Sequence, residues 1–462
     1  MQTNRFNVKI RNLMLAVCAV LLAAVVGIYS TGCQSAADSV QTTDTSYIGP
    51  ETYNEQITGL EHYEGYDVKQ MTVLSRHNVR SPLTEGGSAL SKITSHSWIN
   101  WTAPSSELTL KGGQLETLMG QYFRKFLEAE NFIPENWIPN DDETYFYSNS
   151  YQRTIATAQY FSSGMLPIAN STVVHKYDLN QKDGTFLPLI TFMNDAFKTK
   201  VMNEINAYAG EGGVAKIGES LQDSYKELED VLDFKDSQYA EEKGVSSFNL
   251  DDTTVNLEEG DEATMKGSLK DANTAVDALK LQFYEDRDSV EAAFGEKLTE
   301  DQWAKIAKIA DVYEEVLFGT HSLAVNAAHP MLMELNQDIN NQNRKFTFLC
   351  GHDSTIMNVL AALNVEDYEL PNAISKKTPI GVKFVIEKLE KDGEEYASLS
   401  LVYQTLGQLR GATALDLQNP PMSYKIQLKG LSANADGLYK MADVQERLNS
   451  AIAEYDELKA LS

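Results

Sequence analysis

Three widely separated stretches of this 462-residue chain repeat one plan: an apolar strand, a short turn carrying charged residues, then a helix. Met71-Thr-Val-Leu-Ser75 runs into Arg76-His77-Asn-Val-Arg80-Ser-Pro82. Thr144 to Tyr147 runs into Ser148-Asn-Ser-Tyr-Gln152-Arg153-Thr154 and a helix beginning near Ile155. Phe346 to Gly351 runs into His352-Asp353 and a helix, capped by Ser354, whose Ile356, Val359, Leu360 and Leu363 share one face. That last run is apolar except for Thr347, the texture of a central strand buried on both faces. The expected fold class is α/β, a three-layer core with a mainly parallel sheet flanked by helices. Ligands of such sheets bind at the carboxyl ends of the strands. The plan therefore brings Arg76, His77, Arg80, Arg153, His352 and Asp353 to one rim, beside helix N-termini that favour anions.

The rest of the chain divides around these pieces. Leu115, Leu118, Met119, Tyr122, Phe123, Phe126 and Leu127 have helical spacing, and Gly112-Gly113 before them reads as a helix entry turn. Residues 61–165 and 341–462 form the two parts of the α/β core, with strands at Val382–Ile386 and Ser398–Tyr403 and a last helix near Val444–Leu458. Residues 166–340 form a mainly α-helical cap inserted between them, with helical patterns at Ala196–Ala209, Ser220–Phe234, Lys266–Asp286 and Glu300–Phe318. Within it Ser237–Ala263 is acidic and poor in apolar residues, and reads as a long mobile loop.

The formal net charge of -27 opposes nucleic-acid binding, which needs a basic surface. Salt screens that far field over about 8 Å, so a local arginine cluster still attracts an anion. Only Cys18, Cys33 and Cys350 are present, which excludes a disulfide framework. Arg5, Lys9 and Arg11 precede an apolar run from Leu13 to Ile28, followed by Ser30-Thr31-Gly32-Cys33 and a polar stretch. That is the order of a secretory signal peptide. Small residues leading into a cysteine further resemble a bacterial lipobox. On that reading residues 1–32 are a lipoprotein signal peptide, Cys33 is the lipidated first residue and 33–60 is a tether. Ser30 departs from the leucine usual three positions before the cysteine, and an uncleaved membrane anchor is the other reading. Both place the remainder outside the cytoplasm, periplasmic or at a membrane surface.

Planar arginine forks suit a phosphate dianion, and positive charge around an imidazole favours its neutral, nucleophilic form. The expected division of labour follows. His77 attacks phosphorus to form a phosphohistidine, while Arg76, Arg80, Arg153 and His352 hold the equatorial oxygens. Asp353 protonates the leaving alkoxide and then serves as base for water. Neither a metal nor another cofactor is expected, since no cluster has metal-ligand spacing. The acid's need for a proton predicts activity at acidic pH.

Arg76-His-Asn-Val-Arg80-Ser-Pro82 together with Gly351-His352-Asp353 resembles the histidine acid phosphatases, the second branch of the histidine phosphatase superfamily. Leu108–Gly113, Tyr147–Thr154, Ala156–Gln159, Lys377–Gly381 and Val402–Gln404 are similar to its bacterial glucose-1-phosphatase group, toward which Asn78 also leans where many relatives carry glycine. The resemblance implies an α-helical cap on an α/β core, and hydrolysis of a small phosphomonoester, glucose 1-phosphate first, through phosphohistidine. Phytase or broad acid phosphatase activity is the alternative. A lipoprotein that binds phosphorylated sugars without hydrolysing them is the reading from another class. The chain departs from enteric relatives in lacking their disulfides and in its lipid anchor. His62, His96, His321 and His329 show no partner pattern, whereas His175 and Asp183–Pro188 are candidates to face substrate from the cap.

Overall fold

The computed structural model describes residues 55–84 and 89–461. The expected signal peptide, Cys33 and most of the tether lie outside the described residues. No described helix is long and apolar enough to cross a membrane.

The strands are β1 (Asp67–Arg76), β2 (Thr144–Ser148), β3 (Val173–Val174), β4 (Thr254–Asn256), β5 (Thr264–Lys266), β6 (Phe346–Gly351), β7 (Lys383–Lys391), β8 (Glu394–Tyr403), β9 (Met422–Lys425) and β10 (Tyr439–Lys440). The main sheet has the order β10-β8-β7-β1-β6-β2-β3, with β9 also on β8, while β4 and β5 form a separate hairpin. Strands β1, β6, β2 and β3 pair in parallel; β7 joins β1 antiparallel, and β8, β9 and β10 continue that sense of pairing. The sheet is thus mixed, with β1, β2, β3, β6 and β8 pointing the same way.

The longer α-helices are α1 (Leu110–Ala129), α2 (Gln152–Met165), α3 (Asp195–Ala209), α4 (Gln222–Leu232), α5 (Ser268–Glu285), α6 (Glu300–Phe318), α7 (His321–Ile339), α8 (Asp353–Ala362) and α9 (Met441–Lys459). Alternate strand residues face opposite sides of a sheet, and both sides are covered here. On one, Met71, Val73, Phe346, Phe348 and Cys350 pack with Phe123 of α1 and Phe161 of α2. The Phe161 ring stacks on Phe348 with centroids 4.1 Å apart. On the other, Leu74, Leu349, Phe384 and Leu401 pack with Leu335 of α7, Ile356 of α8 and Leu448 of α9, and this core continues into α3 to α6. Three layers result, with the helices of 195–318 sharing the second core.

Thr347, the polar exception in β6, is accounted for by Asp338 near the end of α7. That buried carboxylate accepts from the hydroxyls of Thr347 (2.6 Å) and Thr72 (2.7 Å), tying two neighbouring strands to the helix above them. Two expectations fail. Ser237–Ala263 is not a loose loop: Phe248 and Leu257 are buried, β4 within it pairs with β5 just beyond it, and Gly260 N–H donates to Ile190 O at 2.8 Å. Nor does Ser354 cap α8; His352 holds that position with extended backbone (φ -125), and its own N–H donates to Thr355 Oγ1 at 3.0 Å.

Candidate active site

Strand register sets the rim. Ser75 of β1 and Ser148 of β2 both stand opposite Cys350 of β6. The ladder runs on past the strands: His77 N–H donates to Gly351 O (3.0 Å) and Asn149 N–H to Cys350 O (2.9 Å). The three turns therefore begin at one level, bringing together all six residues singled out above. His77, Arg80, Arg153, His352 and Asp353 line one cavity of about 1000 Å3. Arg76 is buried beside it, with Nη2 2.7 Å from Asp353 Oδ2.

The turn after β1 is clamped from behind. Ser81 N–H donates to Glu107 O and Thr109 N–H to Val79 O, both at 3.0 Å. Gly112 in the first turn of α1 allows this close approach, since a Cβ there would lie 2.3 Å from Val79 O. Asn78 Nδ2 donates to Glu116 Oε1 of α1 (2.7 Å), while Asn78 Oδ1 accepts from Val79 N–H (2.8 Å). Its backbone carbonyl is thereby held for His77, whose Nδ1 lies 2.9 Å from it. A carbonyl only accepts, so Nδ1 carries the proton and Nε2 keeps a lone pair.

His352 has the opposite tautomer. Asn149 Oδ1 accepts from Ser150 N–H (2.7 Å), which turns the Asn149 amide NH2 toward His352 Nε2 at 2.7 Å. Nε2 accepts there, leaving the proton on Nδ1. The two imidazoles meet edge to face with centroids 5.5 Å apart. Burial holds His77 well below the usual imidazole range, reinforced by the charges of Arg153, Arg80 and Arg76. His352 is depressed in the same way, by burial and then by Arg153, against a smaller opposing pull from Asp353. Each imidazole is neutral, one offering a lone pair and the other an N–H.

The guanidiniums are held in fixed attitudes. Arg80 Nη2 meets both carboxylate oxygens of Asp277 at 3.1 and 3.3 Å. Arg153 lies over the Tyr151 ring, its Cζ 4.7 Å from the centroid, and burial with the charge of Arg80 brings it down to about 10, still charged at neutral pH. The Nε–H groups of Arg76, Arg80 and Arg153 are buried without an acceptor among the described residues. Unmet buried donors are costly, so the cluster has capacity for an oxyanion. Burial alone would raise Asp353, but Arg76, then His352, the Ser354 N–H and Arg80 bring it down to about 2.

Several residues of this site carry no chemistry legible from their own type, although Asn149 and Thr378 lie inside stretches that carry the family resemblance. Asn149 sets the His352 tautomer. Thr378 gives its carbonyl to Arg76 Nη1 and its hydroxyl to Glu314, which lines the cavity from α6. Lys383 and Glu116 form a fully buried ion pair (3.0 Å) beneath Asn78. The cap candidates divide: His175 is exposed and bonds Tyr177 O, whereas in the 183–188 segment only Leu187 reaches the cavity wall. Asp183 accepts instead from Tyr147 Oη at 2.5 Å. From the β4–β5 hairpin, Glu262 lines the cavity.

An α/β fold gathering neutral imidazoles, guanidiniums and a carboxylate at adjoining strand ends defines a phosphate-ester hydrolase. Residues 67–404 match the family model of the histidine phosphatase superfamily, branch 2, and the chain belongs to that family. It is a phosphomonoester hydrolase. Among curated relatives, the glucose-1-phosphatase of Salmonella typhimurium is 34% identical over 84% of this chain and 93% of its own length. That of Providencia rettgeri is 33% identical over 83% and 92%. The phytase AppA of Escherichia coli is 26% identical over 83% and 92%. Among solved structures, the apo phytase of Hafnia alvei superposes with a TM-score of 0.78 over 85% of this chain and 98% of its own, at 24% identity, which supports the fold.

Proposed function

We propose that this protein hydrolyses a small sugar phosphate, glucose 1-phosphate first, through a phosphohistidine at His77. The observation that carries the reading is the His77 imidazole, kept neutral by burial and by the surrounding arginines, with its tautomer set by the Asn78 carbonyl. Nε2 forms the N–P bond as the P–O ester bond breaks, while Arg76, Arg80, Arg153 and the Nδ1–H of His352 hold the equatorial oxygens. Asp353 transfers a proton to the departing alkoxide. In the second step its carboxylate takes a proton from water as the water oxygen attacks phosphorus, and the N–P bond breaks to restore neutral His77. Asp353 enters this cycle paired with Arg76. A bound phosphate competes for that guanidinium and adds negative charge nearby, and both effects raise the carboxyl's affinity for a proton.

The cavity wall bears on the leaving group. Beyond the arginines it carries Glu107, Glu262, Asp277 and Glu314 together with Lys270 and Lys280. Asp277 is paired with Arg80 and the other acids are interspersed with lysines, so the wall offers polar groups of both signs to a hydroxylated leaving group. The choice of a sugar monophosphate over a polyphosphate is supported by the named activities of the curated relatives, glucose-1-phosphatase at higher identity than phytase. In cellular terms the proposal is a bacterial extracytoplasmic enzyme, lipid-anchored through Cys33.

A substrate panel tests the activity. Glucose 1-phosphate should be turned over faster than phytate at acidic pH, and acid-labile, base-stable phosphate should label wild-type protein but not His77→Ala. Phosphate binding without turnover would leave a binding protein as the better account; faster turnover of phytate would reassign the substrate. Mass analysis of the mature N-terminus, with Cys33→Ser as control, tests the anchor.

A further inference from the structure

Asp353 poses a problem that its surroundings do not solve alone: bound to Arg76 and pulled down to about 2, it holds no proton in the free site at the pH of an acid phosphatase. A second carboxyl stands on the same wall. Glu314 lies on the cavity-facing side of α6, buried, and accepts the hydroxyl of Thr378. Thr378 gives its carbonyl to Arg76 Nη1, and Arg76 Nη2 reaches Asp353. Three hydrogen-bonded links thus join the two carboxyls along one wall of the cavity.

We propose that Glu314 is a positioning residue that stores the leaving-group proton for Asp353, the two carboxyls sharing one proton between them. The charged groups facing Glu314 are Asp353 of α8, Arg76 of β1, Lys280 of α5 and Asp311 of its own helix. Burial, and then the negative charge of Asp353, push Glu314 up to about 8 against the pull of Arg76 and Lys280. Pairs of carboxyls with values driven apart mark a division between proton holder and proton acceptor. One proton therefore stays with the pair from strongly acidic to near-neutral pH. In the free site it sits on Glu314. When a phosphate dianion takes a share of Arg76, Asp353 gains proton affinity and Glu314 loses a repelling anion, so the proton moves to Asp353; Arg76 stays charged and couples the two carboxyls electrostatically, while the proton itself crosses through the cavity that both line. From there it passes to the ester oxygen as the P–O bond breaks, and the water of the second step returns a proton to the pair. Proton count balances over the cycle.

This rests on Asp353 being the acid, so the test separates the two claims. The measurement is kcat/KM against pH for wild type, Glu314→Gln, Glu314→Asp and Asp353→Asn, on glucose 1-phosphate and on 4-nitrophenyl phosphate, whose leaving group needs no proton. Glu314→Gln is expected to move the basic limb on the sugar phosphate toward acid by about one pH unit or more, a roughly tenfold loss near neutrality, with little change on the aryl ester. Glu314→Asp, which keeps a carboxyl that can hold a proton, should keep its limb nearer to wild type. An unmoved limb, equal loss on both esters, or equal displacement in Glu314→Asp and Glu314→Gln overturns the proposal. If Asp353→Asn loses equally on both esters, the acid role itself falls; if Asp353→Asn is selective while the Glu314→Gln limb stays put, only the inference about Glu314 falls.

Discussion

The ion pair beneath the reactive turn offers a sharp test because its two halves should fail in opposite senses. Lys383 Nζ and Glu116 Oε1 are 3.0 Å apart with both side chains fully buried. Lys383 also donates to Gly381 O (3.0 Å) and Ser75 Oγ (3.2 Å), and Glu116 accepts from Asn78. Glu116 Oε2 has no partner among the described residues, and burial, offset in part by Lys383, raises this carboxyl above its ordinary value. Removing one member of such a pair strands the other charge, at about 3–5 kcal/mol. Lys383→Met leaves a carboxyl that escapes by taking up a proton. Its folded pKa rises further above the unfolded value, so the folded state binds more protons, and stability is greatest in acid and falls as pH rises toward the folded value. Glu116→Gln leaves an ammonium, whose folded pKa drops. There the unfolded state binds more protons, and stability rises with pH once the lowered value is passed. A tenfold change in either proton affinity between the folded and unfolded chain is worth about 1.4 kcal/mol. Denaturant unfolding followed by circular dichroism across pH 5 to 8 should therefore show, for each variant minus wild type, slopes of opposite sign, and a double variant that recovers part of both losses. Parallel slopes, or losses below about 1 kcal/mol for both single variants, would refute the reasoning that the pair is a desolvated charge pair.

Other tests concern the same rim. Gly381 has φ +68, and a Cβ there would lie 2.6 Å from Asn78 Nδ2, so Gly381→Ala should cost about 1–3 kcal/mol and lower turnover by displacing Asn78, read from melting and rates together. Asp277→Asn frees Arg80 from a competing carboxylate, so inorganic phosphate should inhibit at about two- to fivefold lower concentration, the scale of a partly exposed ion pair. His77 and His352 are both depressed in the folded state, so their own contribution to stability, wild type minus the His77→Asn His352→Asn double variant, should fall as pH drops through about 6.5. A difference in denaturation midpoint between wild type and that double variant that stays constant from pH 7 to 5 would contradict this.

What is legible in the sequence is whatever stands out against an apolar background. Arg76 and His77 close a strand buried from Gln70 onward, and His352 and Asp353 follow one buried throughout, so they announce a turn, and the sheet then sets their level. Glu300–Phe318 is legible to the residue because its periodicity is unbroken. Long-range partners leave no local trace. Asn149, Thr378, Glu116 and Glu314 are ordinary polar residues whose role exists only through contacts made after folding. Helix α7 falls outside the four helical patterns because Pro330 interrupts it; burial of Leu323, Val325, Met331, Leu332 and Leu335 outweighs the local cost. The 237–263 segment reads as mobile because a few buried apolar anchors in an acidic stretch fall below any periodic signal, yet Phe248 and Leu257 within it, with Met265 just beyond, suffice to pin it.

The strand-end rule explains why half of the support is hidden from the sequence. It looks for chemistry where strands finish, and β1, β2 and β6 do finish at the rim. But β7 runs antiparallel to β1, with Lys383 opposite Ser75, so β7 starts where β1 ends. The residues leading into it, Thr378 to Lys383, therefore arrive at the same rim from the opposite chain direction. Thr378 bonds Arg76 and Glu314, Gly381 N–H donates to His77 O at 3.2 Å, and Lys383 bonds Ser75 and Glu116. The parallel neighbour β6 delivers His352 and Asp353 on one side of the reactive turn, while the antiparallel neighbour delivers no group with evident chemistry, only the contacts that hold the turn's geometry. A mixed sheet suits this site for that reason: one flank of β1 brings charges to the cavity, and the other fixes where the arginine and imidazole between them point.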